Sequence, residues 1–183
     1  PWRGDGLASY RDTERYWAQF NGTFVLVYPP ERAAEVGAVL GPQYVDAATM
    51  WAAAAAQARA AVSRAPEDPF AWFNLGTSLT ELAALGDETL YEGAAAAYDQ
   101  ARLLGLPPRM LWYQFGPYEA YFNVGRFDDV LTLADTNRNI TPYVEETYYW
   151  KGVVYAAQGD TQAALSELDR ALLQRHPELQ ALY

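Results

Sequence analysis

Along this chain, apolar and small residues recur in sets of three at i, i+4 and i+7, the spacing of one helix face. Ala94, Tyr98 and Ala101 form one set, Val130, Ala134 and Asn137 a second, and Ala164, Leu168 and Ala171 a third, offset by 36 and then 34 residues. A different face precedes each set. Residues 71–79 align with 147–155, so that Trp72 matches Tyr148, Gly76 matches Gly152 and Leu79 matches Tyr155. Between them Tyr118 takes the small-residue position, 34 residues before Gly152, and Tyr121 takes the Leu79 position. The pattern predicts units of two helices each. Gly86-Asp87, Gly125-Arg126 and Gly159-Asp160 supply the left-handed stop between the two arms. The first unit carries about six extra residues around 83–90, read as extra turn or a protruding loop. Gly116-Pro117 falls inside a first helix, which must kink or restart there, because proline lacks an N–H and clashes with the carbonyl four residues back.

Upstream, residues 44–66 are an Ala-rich run ending in Pro66, with Ala54, Ala58 and Ala61 at second-helix positions. It reads as the remaining helix of a degenerate leading unit. The full units then run over about 67–106, 107–141 and 142–176, with a stub at 177–183 that either caps the last apolar face or leads into further chain. Residues 1–43 form a separate extension of the helix-strand-helix kind. Residues 9–20 predict a short amphipathic helix and Asn21-Gly22 a turn. Thr23-Phe24-Val25-Leu26-Val27-Tyr28, closed by Pro29-Pro30, predicts a buried strand, and 31–40 a second helix ended by Gly41-Pro42. One strand cannot satisfy its own backbone, so its partner must lie elsewhere. The strand can pack flat against the first helices, receive a strand from a separate chain, or self-associate through residues 20–30, the simplest of the three because identical antiparallel strands satisfy each other symmetrically.

Trp72-x2-Leu75-Gly76-x2-Leu79…Ala94-x3-Tyr98-x2-Ala101, with its echo Tyr148-x2-Lys151-Gly152-x2-Tyr155…Ala164-x3-Leu168-x2-Ala171…Pro177, resembles the tetratricopeptide repeat. The middle unit departs from it, with Pro117 and Tyr118 in place of the Leu-Gly pair. The resemblance implies an all-α fold, a right-handed superhelix of helical hairpins whose first helices line a peptide-binding groove. Carried over position by position, that groove consists of Phe70, Phe73, Asn74, Thr77 and Glu81; then Trp112, Phe115, Glu119 and Asn123; then Glu146, Tyr149, Trp150, Val153 and Ala157. Asn74 sits where chaperone-binding relatives grip a terminal carboxylate, but the lysines and arginines that accompany it there are missing. Lys151 is the only lysine in the chain. Rings with Glu81, Glu119 and Glu146 suit instead an extended apolar or Arg/Lys-bearing segment.

Residues 16–32, from Tyr16-Trp17-x2-Phe20-Asn21-Gly22 to Pro29-Pro30-Glu31-Arg32, are similar to the C-terminal tail of bacterial papain-like cysteine peptidases of family thirty-nine, and residues 110–121 to the repeats fused to them. That resemblance implies a catalytic domain upstream and an extracytoplasmic site. It makes a non-catalytic region of a larger peptidase the alternative to a free-standing binding scaffold; a spacer without a ligand is the third reading.

Composition narrows the chemistry. Half of the 183 residues are apolar and 15% aromatic, which fits a folded chain, and its length allows one core or one extended solenoid. Thirteen basic against 23 acidic side chains leave a net charge of −10, which repels nucleic acid and anionic membranes and favours a basic or apolar protein partner. The chain has no cysteine and one histidine, His176, between Arg175 and Pro177 at a helix end, where a cation complements the dipole. No catalytic group, metal site or cofactor is expected, because no nucleophile–base pair or ligand cluster is evident. The start, Pro1-Trp2-Arg3, has neither an initiator Met nor an apolar segment and reads as a fragment. The longest apolar run, 47–56, is too short to cross a bilayer.

Overall fold

The computed structural model describes residues 9–41, 44 and 46–175. His176 and the stub 177–183, to which a capping role is assigned above, lie outside them. The described residues form nine α-helices and no strand: α1 Tyr10–Ala18, α2 Ala33–Leu40, α3 Ala47–Arg64, α4 Pro69–Ala84, α5 Leu90–Leu103, α6 Gly116–Asn123, α7 Phe127–Ile140, α8 Glu145–Ala157 and α9 Thr161–Arg175. The all-α expectation is met. None of these helices is long and apolar enough to cross a membrane.

The helix starts follow local chemistry. Ser9, Asp46 and Asp68 each lie just before a helix and accept a backbone N–H of its first turn, from Asp12, Thr49 and Phe70 respectively. The stops are equally local. At the α6 and α8 ends, Gly125 and Gly159 have φ of 73° and 83°, the left-handed region open to glycine. The residue after each glycine donates back to the carbonyl five positions earlier, Arg126 to Tyr121 at 2.8 Å and Asp160 to Tyr155 at 2.9 Å. Proline resolves the middle unit as a restart. Pro108–Trp112 form a 3-10 turn, the chain breaks at 113–115, and α6 begins at Gly116 with Pro117 in its first turn, where the missing N–H costs nothing. The extra residues of the first unit are shared between helix and loop. The α4 helix is 16 residues long against 13 for α8, and residues 85–89 separate it from α5.

Each helix from α3 to α9 packs on the next in sequence, and α4 also touches α6 across the hairpin it forms with α5. Equivalent positions make equivalent contacts. A Cβ added to Gly76 would lie 2.7 Å from the Tyr98 ring, and one added to Gly152 would lie 2.7 Å from Leu168 Cγ. These are the pairs that the 36- and 34-residue alignments match. In the middle unit the large and small partners are exchanged: Tyr118 and Ala134 hold those positions, and both are fully buried. Trp72 Nε1–H donates to the Pro66 carbonyl at 2.8 Å, and the Tyr148 hydroxyl donates to the Pro142 carbonyl at 2.8 Å, the same bond six residues back in two units.

Polar contacts pin the seams between hairpins. Asp99 of α5 takes a bidentate bond from Arg126 at 2.6 and 3.0 Å and a third bond from the Tyr121 hydroxyl at 2.7 Å. Arg126 also donates to Asp129 and lies 4.4 Å from the centre of the Tyr121 ring. Desolvation works against the Asp99 charge, but the Arg126 and Tyr121 bonds outweigh it and hold the carboxyl below its usual range. Further along, Asn137 Nδ2 donates to the Leu111 carbonyl and Thr147 Oγ1, and buried Lys151 bonds Asp135 at 2.8 Å, with Glu167 at 3.9 Å.

The N-terminal extension differs most from expectation. Its two helices appear, but residues 23–28 are an extended segment without a strand partner, and their apolar side chains are exposed. The predicted buried strand is therefore corrected to an exposed segment that is not part of any strand. No sheet exists among the described residues to cover it.

Candidate functional site: the α4, α6 and α8 face

The groove expected from the repeat register is spread over α4, α6 and α8, and the structure sorts its members by reach. Phe73 is corrected outright. It is buried 5.2 Å from the Tyr98 ring and packs in the core instead of standing open on the expected groove. Phe70 and Phe115 are partly buried against the same core. Trp112 and Phe115 also fall outside the helix that the register assumed, because the Gly116-Pro117 restart leaves them on the 3-10 turn and at the α6 N-cap. Trp112 is half-buried, with its Nε1–H buried and without a hydrogen-bond partner. Thr77 turns inward, donating to the Phe73 carbonyl and accepting from the Tyr98 hydroxyl at 3.4 Å.

Trp150 is a seam residue. Its ring stacks on Tyr118 at 6.1 Å and 11°, and it meets Phe122 at 6.0 Å, joining α8 to α6. Tyr149, 49% exposed, extends the aromatic surface outward at 5.6 Å from Trp150. Glu146 sits half-buried in the first turn of α8. Burial pushes the Tyr118 phenol up to about 12, and the Glu146 charge adds to the rise. Asn123, exposed at the end of α6, donates to the Glu119 carbonyl.

Two of the expected acids influence each other electrostatically. Glu119 on α6 accepts the Tyr91 hydroxyl of α5 at 2.9 Å. Glu81, near the end of α4, has its pKa raised by burial and then by the Glu119 charge. The Tyr91 phenol is pushed up to about 12 by burial, by its bond to Glu119, and by the charges of Glu119, Glu88 and Glu81. The charges of Glu81, Glu88 and Glu119, from α4, the α4–α5 loop and α6, are thus all felt at the Tyr91 hydroxyl. The sign of the pH dependence at Glu81 follows. An acid whose folded pKa is raised costs stability once ionised; the cost is absent below the ordinary carboxylate range and grows as pH rises through the raised value. Glu81→Gln is expected to stabilise the fold slightly at pH 7–8, by less than about 1 kcal/mol for so exposed a group, and to make no difference near pH 4. Melts across that range check it. A variant less stable than the parent at pH 8 would place an attractive partner beside Glu81.

The sequence reading missed what covers α4. Asn74 Nδ2 donates to the Ala18 carbonyl at the end of α1, 2.6 Å away, and Asn21 Nδ2 donates to Ser78 Oγ at 3.0 Å. Ser78 is fully buried. Part of the α4 inner face is thus occupied by the chain's own N-terminal turn. Local sequence carries no signal for this, since the partners are 56 and 57 residues apart. An apolar cleft of about 190 Å³ lies between Phe73, Tyr98, Leu106, Leu111 and Leu133, with Arg102 on its wall. Of the expected groove residues, Phe73 alone lines it.

Among the described residues, no group of three or more His, Asp or Glu side chains is gathered for a metal. The fold and this face define an all-helical chain built of successive packed hairpins. In comparisons with protein families and with curated proteins, no family and no curated protein matches it.

Proposed function

We propose that this chain is a tetratricopeptide-type scaffold, a superhelix of hairpins that holds an extended segment of a protein partner bearing Arg or Lys beside apolar residues. The repeat reading is supported by the Gly76–Tyr98 and Gly152–Leu168 close approaches and by the paired Trp72–Pro66 and Tyr148–Pro142 bonds, which recur at matched positions. One observation carries the ligand chemistry. Glu81 and Glu119, from different helices, are close enough for one charge to raise the pKa of the other. A cation seated between them would remove that repulsion, and the net charge of −10 would draw it in from solution. The exposed Tyr149 ring offers a stacking surface on the same expected face.

Display selection with random peptides tests this. Bound sequences are expected to be enriched in Arg and Lys next to aliphatic or aromatic residues. The Glu81→Gln, Glu119→Gln double variant should weaken the best of them at least fivefold, with the remaining affinity less dependent on salt. Selection of acidic peptides, or affinity indifferent to the double variant, would sink the reading. A second reading is kept for the sequence kinship noted above: the non-catalytic region of a larger cysteine peptidase, its partner being a peptidase domain. The exposed, unpaired segment 23–28 favours it, because such a segment could complete a sheet elsewhere.

A further inference from the structure

The extended segment has more order than its exposure suggests. Exposure alternates along it: Phe24, Leu26 and Tyr28 are 41%, 50% and 43% exposed, while Val25 and Val27 are 83% and 94% exposed. That is the period of two of a β-strand with an inner and an outer face. The inner face is braced, with Phe24 edge-on to Trp17 at 6.2 Å and to Tyr44 at 5.6 Å. A turn through Asn21 and Gly22, both at positive φ, leads into the segment, and Pro29-Pro30 ends it. Within the described chain, the amide N–H groups of residues 24–28 donate to no other residue. Residues 24–28 carry no charge or proline, two of the devices that keep natural edges from pairing.

Its sequence is a near-palindrome, Phe-Val-Leu-Val-Tyr, centred on Leu26. We propose that this segment pairs antiparallel with the same segment of a second copy of the chain, with the two Leu26 residues directly opposed across the two-fold axis. A residue must face its own counterpart across the axis, because otherwise each inner side chain would lie opposite an outer one. Of the residue-centred registers, the one on Leu26 pairs all five residues. It sets Phe24 against Tyr28 and Val25 against Val27, aromatic on aromatic and β-branched on β-branched. Charge does not oppose it locally. Residues 9–40 hold Arg11, Arg15 and Arg32 against Asp12, Glu14, Glu31 and Glu35, so most of the net charge lies elsewhere in the chain. The pairing stands apart from the peptide-binding reading, since Glu81 and Glu119 take no part in it.

The lack of cysteine makes the test direct. A single introduced cysteine can bridge only to its own counterpart, and directly opposed strand residues lie within disulfide reach in either kind of antiparallel pair. Leu26→Cys is expected to cross-link under mild oxidation at least tenfold faster than Val39→Cys, an exposed control on α2. Val25→Cys and Val27→Cys should each be slow alone and fast when mixed. Light scattering should show the unaltered chain as a dimer at about 500 µM. Equal rates at all positions, or a monomer at that concentration with Leu26→Cys no faster than the control, would overturn the proposal. Retained helical circular dichroism in each variant excludes misfolding as the cause.

Discussion

Tyr98→Ala is expected to destabilise the fold by about 3–5 kcal/mol, the usual cost of removing a large buried ring. Tyr98 is 1% exposed and joins three helices. Its ring lies 5.2 Å from Phe73 and covers Gly76, its hydroxyl sits by Thr77 and Thr80, and the α6 start at Gly116 abuts that hydroxyl. Truncation would leave an apolar cavity between α4, α5 and α6 without orphaning the threonines, which also donate to the Phe73 and Gly76 carbonyls. Tyr98→Phe should therefore be mild, losing two long bonds of 3.3 and 3.4 Å and about 1 kcal/mol. For a chain of this length, each kcal/mol moves the melting temperature by roughly 2–4 °C. Thermal melts should thus show a drop of about 6–20 °C for the alanine variant, several times that of the phenylalanine variant. Equal small shifts would mean that the ring does not fill the joint between the first two hairpins.

Gly152→Trp is the second large effect, and it arises by crowding instead of loss. Gly152 is buried in the middle of α8, where even a methyl group would lie 2.7 Å from Leu168 Cγ and 3.2 Å from the Ala164 carbonyl oxygen. Leu168 could shift, but the α9 backbone could not without separating the hairpin. A full indole should cost about 3 kcal/mol or more, near the upper end for overpacking. Removing the obstruction gives the sharper test. Gly152→Ala should cost less in a Leu168→Ala background than alone, a coupling that a double-mutant cycle measures. Gly93→Ala serves as a control, since its nearest neighbour, Leu79 Cδ1, is at 3.4 Å. Additive effects of the two substitutions would show that Gly152 and Leu168 do not meet.

Both predictions concern positions that recur in the sequence pattern. Gly76 with Tyr98, and Gly152 with Leu168, hold matched places in the alignment of the units, and each pair is in contact. The restart at Gly116 was legible for the same reason: a proline's effect on its helix is felt within four residues. The same restart displaced Trp112 and Phe115, because a helical count carried through a broken helix assigns side chains to the wrong face. Phe73 failed differently. The first-helix register is indifferent to what the second helix of the hairpin lays over a side chain, and here Tyr98 of α5 packs against the ring.

What the sequence determined by itself was therefore mostly what is decided within a few residues: the apolar periodicity of the helices, the glycine stops and the restart at Gly116. Such features rest on backbone hydrogen bonds between near neighbours and on one side chain's volume against the next. What only the tertiary structure decided was coverage. Asn74 is taken by the Ala18 carbonyl, Glu81 is brought within range of the Glu119 charge, and residues 23–28 are left extended with no strand beside them. Each of these depends on segments far apart in the chain meeting or failing to meet, and no local pattern records a contact whose two halves are specified separately.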